Sequence, residues 1–339
     1  MLTFTIKRIL QGIFVIIGLS ILIFVISRII PGDPARMALG PTAPQFAVDE
    51  LRQEMHLDKS LPAQYYYWFT GVLKGDFGKS VNTKRPVIED VKDFFPATLE
   101  LVLFSTVLII VISISLGLLA AGFHDRWVDS LIRGFSYAGI SIPDFVIAVL
   151  LILIFGYLWP VIPVLGRLGS AIAPPDRITG MIVIDSLIAG NFPAFFDAIK
   201  RLLLPSIALS TGSIFQIARI LRSSMTDNMS KEYISVVKGY GIPGGLILIK
   251  YLLKPSFVPV VSILGLTIAE LMGKGFIIET IFNWPGLSRY GMTAMLTKDL
   301  NAISAVVLIT GMAFMIVNIV VDIITAMLDP RIILGGSEL

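Results

Sequence analysis

Ser230-Lys-Glu-Tyr-Ile-Ser-Val-Val-Lys-Gly-Tyr-Gly241-Ile-Pro243-Gly-Gly245 is a polar island between two long apolar runs, followed by Leu246 to Lys254 and by Pro255-Ser-Phe-Val-Pro259. Ser230 is placed to cap a helix, and Glu232 then meets the positive end of the helix dipole in the first turn. Tyr233, Val236, Val237 and Tyr240 recur at i, i+3, i+4 and i+7, which makes one apolar stripe. Gly241 falls where a left-handed C-terminal cap is wanted, and Pro243 prevents the helix from continuing. A second short helix, basic at Lys250 and Lys254, is expected to lead back to the membrane. A short helix with an exposed apolar face, turned off by glycine at a membrane surface, has the form of a docking element.

Composition sets the surroundings of this island. The chain has 339 residues, 55% of them hydrophobic and only 15% charged, far from the balance of a soluble domain. It reads as an integral, all-α membrane protein. A net charge of +3 gives no reason to expect nucleic acid, and the absence of cysteine excludes disulfides and thiolate metal sites. His56 and His124 lie too far apart in sequence to suggest a metal site. Gly75-Asp-Phe-Gly-Lys-Ser80 invites a phosphate-loop reading, but the first glycine of that motif would have to be residue 73, which is Leu. No nucleotide site and no enzymatic activity of its own are therefore expected.

Six spans follow from the apolar runs: Ile9–Ile30, Thr98–Gly122, Ser136–Trp159 with Pro143 inside it, Leu202–Leu221, Phe257–Ile278 and Ile303–Met327. The first is too long for a cleavable signal peptide and is preceded by Lys7 and Arg8, so it is read as uncleaved with a cytoplasmic N-terminus. The C-terminus and the docking loop (223–259) then fall inside, while 31–97 and 160–201 fall outside. Ile178–Ile188 is too short to cross and is expected to lie at the interface or to re-enter. The chain divides into a first helix with its extracellular segment, 1–97, and a five-helix core, 98–339.

Charges within or beside the spans carry the remaining expectations. Glu100 and Asp322 are taken as structural groups near span ends, and Arg219 and Arg222 as anchors at the inner face. Glu270 and Lys274 lie at i and i+4 in the fifth span. They either neutralise each other or line a translocation path that offers both signs of charge to a solute. Glu279, Trp284, Pro285 and Gly286 form a rigid extracellular turn or a gate.

Glu232, Tyr233, Ile234, Gly241 and Pro259 occupy matching positions of the docking (EAA) loop in membrane subunits of ABC importers. The loop most resembles that of the oligopeptide/dipeptide/nickel permeases. Val236, Val237, Gly239 and Tyr240 depart from the small and basic residues of that pattern. Ile30 to Pro34, Pro96 to Leu101, Gly275 to Arg289 and Leu328-Asp329-Pro330-Arg331 resemble further strings of the same family, so the likeness covers nearly the whole chain. It implies a type I importer fold in a prokaryotic inner membrane, a second homologous permease, and a solute-binding protein outside. Two cytoplasmic ATPases would hold the ATP and magnesium. It implies di- or oligopeptides as substrate, with chelated nickel or oligosaccharides as alternatives. An ion-coupled secondary transporter is the rival class, and it would show buried ionisable groups across several spans and internal symmetry. A structural membrane protein would have no use for the docking loop.

Overall fold

The computed structural model describes residues 2–29, 33–40 and 42–328. Part of the Ile30–Pro34 string and the Asp329-Pro330-Arg331 string lie outside these residues. Among the described residues, five helices are long and apolar enough to cross a membrane: α1 (Leu2–Ile29), α5 (Val87–Gly122), α9 (Phe192–Met229), α12 (Lys254–Ile281) and α14 (Leu300–Leu328). Between α1 and α5 lie three short helices, α2 (Pro34–Leu39), α3 (Gln45–Glu54) and α4 (Leu61–Leu73).

The third expected span is not one helix. It is a pair, α6 (Trp127–Ser141) and α7 (Asp144–Ile152, running on as a π-helical turn to Leu158), bent by 98° at Ile142-Pro143. Pro143 has no N–H to give and clashes with a helical residue before it, so Ile142 is extended (φ −83°, ψ 123°) and the helix breaks instead of kinking. The other spans exceed their sequence-based bounds. α5 begins at Val87, not Thr98, and α9 runs 38 residues to Met229. The added turns are polar, with Glu89 and Asp90 at the start of α5 and Asp227 and Asn228 at the end of α9, so apolarity does not mark them as helix.

α9 lies at the centre, packing against α5, α6, α7 and α12, and against the short α8 (Ile182–Ile188). Leu202, Leu209, Ile217, Leu221 and Met225 form its fully buried face. Small residues allow close crossings: a Cβ on Gly117 of α5 would press into Leu221 of α9. α14 covers α12 and also carries α1, which is tied to it by Arg8 and Asp322 at 3.2 Å. Of the 178–188 stretch, Ile182–Ile188 is helical and packs on α9. Asp185 of α8, outside the spans, accepts the backbone N–H groups of Ile178, Thr179 and Gly180 and the Thr179 hydroxyl. Burial raises the Asp185 pKa, and these four donors more than offset it, leaving the carboxyl below its ordinary range.

Candidate functional site: docking helix and translocation face

The short helix expected after the fourth span is present. α10 (Glu232–Gly239) follows α9 after a two-residue break, and Gly241 has φ +72°, the left-handed conformation that glycine adopts without a steric penalty. The N-cap is Lys231, in extended conformation. The Ser230 hydroxyl donates instead to Asp227 O at 2.8 Å, because Ser230 still belongs to the last turn of α9. The predicted stripe is divided by the fold. Ile234 is buried and Val237 half-buried against the chain's own core, whereas Tyr233, Val236 and Tyr240 face outward at 39%, 58% and 81% exposure. The second short helix is not separate either. α11 (Gly244–Leu246) and a π-helical stretch, Ile247–Leu253, run directly into α12. Pro259 lies inside α12, on its uncovered side, and not on the docking surface.

That uncovered side runs the length of the helix. Pro255, Pro259, Ser262, Leu266, Glu270, Lys274 and Ile277 recur at helical spacing and are all exposed, while the opposite face is buried. Glu270 and Lys274 sit on this stripe as an ion pair at 3.7 Å. A charged pair at membrane depth belongs against protein or a water-filled cavity, not lipid. Lys274 also lines a cavity of about 380 Å³ with Pro143, Asp144, Gly212 and Gln216. Sequence reading missed Asp144, whose only signal was a carboxylate directly after a mid-span proline.

Glu279 is fully buried. It accepts from the Thr98 hydroxyl at 2.6 Å and from the Arg289 backbone N–H at 2.8 Å. Thr98 in turn accepts the N–H of Leu287 at 2.7 Å, and Trp284, itself buried, donates to Ala97 O at 2.9 Å. A Cβ on Gly286 would run into the Glu279 carboxylate. Pro285 closes the turn into α13 (Leu287–Leu296), so these residues fasten the α12–α13 turn onto α5.

Glu100 is structural, as expected, but through a partner and not through an interface, and Arg222 too is held within the chain. Glu100 does not reach an interface: it is buried and paired with Arg167 at 2.6 Å, and it also accepts the N–H of Val183. Its apolar sequence neighbours hid a partner 67 residues away. Arg222 does not reach toward headgroups, because its guanidinium holds Asp129 of α6 bidentately at 2.6 Å. Among the described residues no group of acidic and histidine side chains could hold a metal ion.

A family model described as "Binding-protein-dependent transport system inner membrane component" matches residues 113–334, and its N-terminal companion matches 1–102. The chain belongs to this family. It is 36% identical over 327 residues to the "Probable D,D-dipeptide transport system permease protein DdpB" of Escherichia coli K12, covering 96% of each chain. Identity is 34% to the dipeptide permease DppB of Alkalihalophilus pseudofirmus and 31% to the glutathione permease GsiC of Salmonella typhimurium, each over 98% of this chain and 99% of the relative. The permease is thus the pore-forming inner-membrane component of a binding-protein-dependent ABC importer. It works with a solute-binding protein and an ATPase and is not itself an enzyme.

Proposed function

We propose that this permease imports short peptides as one half of a channel completed by a second, homologous permease. α10 seats in an ATPase subunit that binds ATP and magnesium, and closure of two such ATPases moves α9 and α12 between inward- and outward-facing states. N- and C-termini are cytoplasmic, with the binding protein delivering solute on the opposite side. The uncovered stripe of α12 faces the second permease and the path, Glu270 and Lys274 included. The turn at Glu279, Trp284, Pro285 and Gly286 braces the outer end and does not gate it. Dipeptide and glutathione permeases among the relatives support the substrate class.

One observation carries this reading: α10 presents Val236 and Tyr240 outward at the end of a 38-residue helix that forms the core. Val236→Asp tests it better than a change at Val237, which also packs inward. A lone carboxylate buried in a groove costs several kcal/mol, enough to lose a modest interface. Purified complexes carrying Val236→Asp should lose ATPase subunits, or hydrolyse ATP without uptake, while the permease stays folded. Stoichiometric ATPases with full uptake would refute the docking assignment.

A further inference from the structure

Arg8, Arg201 and Arg222 each hold a carboxylate of this chain. Arg28, the last residue of the first apolar span, does not. Its side chain is half-buried, its Nε is shielded from solvent, and it makes no hydrogen bond or ion pair among the described residues. The guanidinium instead lies over the ring of Phe24, 5.2 Å from the centroid. Phe24 is itself fixed by edge-on packing against Tyr65 of α4 at 5.4 Å, so the cation is held in one place. A guanidinium held at the edge of the hydrocarbon with its donors unused calls for an anion from outside the chain.

The cavity beside it points the same way. It measures about 40 Å³, and Phe24, Ser27, Arg28, Trp68, Lys298 and Ser304 are among its walls. That is room for about three waters, or for one oxyanion group. Two of the lining residues are cationic and none is acidic. Asp299, beside Lys298 in sequence, is fully buried and already engaged: its carboxylate accepts from the Ser80 hydroxyl at 2.6 Å and from the Val81 and Ala302 N–H groups at 2.7 and 3.1 Å. Ser304 decides the chemistry. It is only 5% exposed, and its hydroxyl has no partner among the described residues. A buried hydroxyl without a partner, next to two unpaired cations, lacks an acceptor.

The position of the cavity narrows the choice of anion. α12 starts at the docking segment and α14 returns beside it, so the first turns of α14 lie on the face opposite the docking helix. α1 runs antiparallel to α14: Arg8 meets Asp322, and Arg28 shares the cavity with Ser304. Val25 and Ile21, three and seven residues before Arg28 and on the same side of α1, are exposed apolar side chains. Trp68 adds an aromatic of the kind that settles at headgroup depth. A free anion would use the cations alone; an anionic phospholipid uses the cations and the apolar approach.

We propose that Arg28, Lys298 and Ser304 bind the phosphate of an anionic phospholipid between α1 and α14, with an acyl chain along Val25 and Ile21. The guanidinium pairs with the phosphate bidentately and Ser304 donates to a free phosphate oxygen. Lys298 supplies the charge that favours a net-negative headgroup over a zwitterionic one. The lipid then fastens α1 to α14 at this end, as Arg8 and Asp322 do at the other. The site is independent of the substrate and of the docking assignment.

The full importer complex, delipidated in non-ionic detergent and placed in phosphatidylcholine nanodiscs, is given phosphatidylglycerol carrying a photoactivatable diazirine in its acyl chain. Crosslinked peptides of this chain are read by mass, with crosslinks at Leu10 and Phe14, exposed toward the other end of α1, as the reference. Labelling should concentrate in 21–28 and 300–304. Arg28→Gln should lower it about tenfold and Ser304→Ala about fivefold with the reference unchanged, whereas Arg28→Lys keeps part of it. The serine change is small enough to leave the fold intact, so it carries the test if Arg28→Gln fails to assemble. Excess unlabelled phosphatidylglycerol should displace the probe; excess phosphatidylcholine and inorganic phosphate should not. Displacement by inorganic phosphate would make this a free-anion site. Protection by the solute-binding protein, with no effect of phosphatidylglycerol, would make it a protein contact. Either result overturns the lipid site, as does labelling in 21–28 and 300–304 that neither Arg28→Gln nor Ser304→Ala lowers relative to the reference.

Discussion

Thr98→Val removes a single hydroxyl that serves two buried groups. In the native chain that hydroxyl donates to Glu279 Oε1 at 2.6 Å and accepts the Leu287 N–H at 2.7 Å. Valine keeps the shape, so no cavity opens; what is lost is one charge-assisted bond, about 1.5–3 kcal/mol, and the pairing of one amide, about 1–3 kcal/mol. Measured side-chain bonds within membranes run lower, up to about 1.7 kcal/mol, because the unfolded chain in lipid also finds partners. A net loss of about 2–3 kcal/mol is therefore expected. Ser105→Ala is the control: it lies on the same helix, is fully buried, and its hydroxyl has no hydrogen-bond partner, so its removal should change stability by less than about 0.5 kcal/mol. Unfolding of the purified permease in mixed detergent micelles, titrated with a denaturing detergent, gives both values. If Thr98→Val falls within about 0.5 kcal/mol of Ser105→Ala, the buried turn is not held by these bonds and the bracing role fails.

Two further outcomes are expected. Replacing Glu270 and Lys274 together by Gln and Met should leave the complex assembled, since a helical i, i+4 pair contributes only about 0.3–0.5 kcal/mol. Uptake should nevertheless shift among acidic, neutral and basic peptides, and an unchanged profile would remove the pair from the path. For Asp185 the folded-state carboxyl is held below its ordinary range, so its stabilisation is present above the unfolded pKa and is lost as pH falls through the folded one. The stability gap between wild type and Asp185→Asn, read by limited proteolysis of the 160–190 segment, should be widest near neutral pH. It should narrow as pH drops below about 4, and a gap that widens there would refute the sign.

The sequence alone determined that the chain crosses the membrane on long apolar helices and interrupts them with a short helix stopped by glycine. Both facts are local. Apolar length sets whether a segment can span, and a left-handed residue followed closely by proline sets where a helix must end. The same locality explains what was missed. Only the tertiary structure decided that Val237 turns inward while Val236 and Tyr240 remain outward, because α10 takes its orientation from the core beneath it. Pro143 announced a disturbance in the third span, but the 98° turn and the placing of Asp144 against Gly212 of α9 depend on how α6 and α7 pack. Glu100, Arg222 and Glu279 looked like charges near span ends or in a turn. Their partners lie 67, 93 and 181 residues away in sequence. No window of sequence contains such pairs, and an ionisable group at membrane depth is read correctly only once the fold shows what satisfies it.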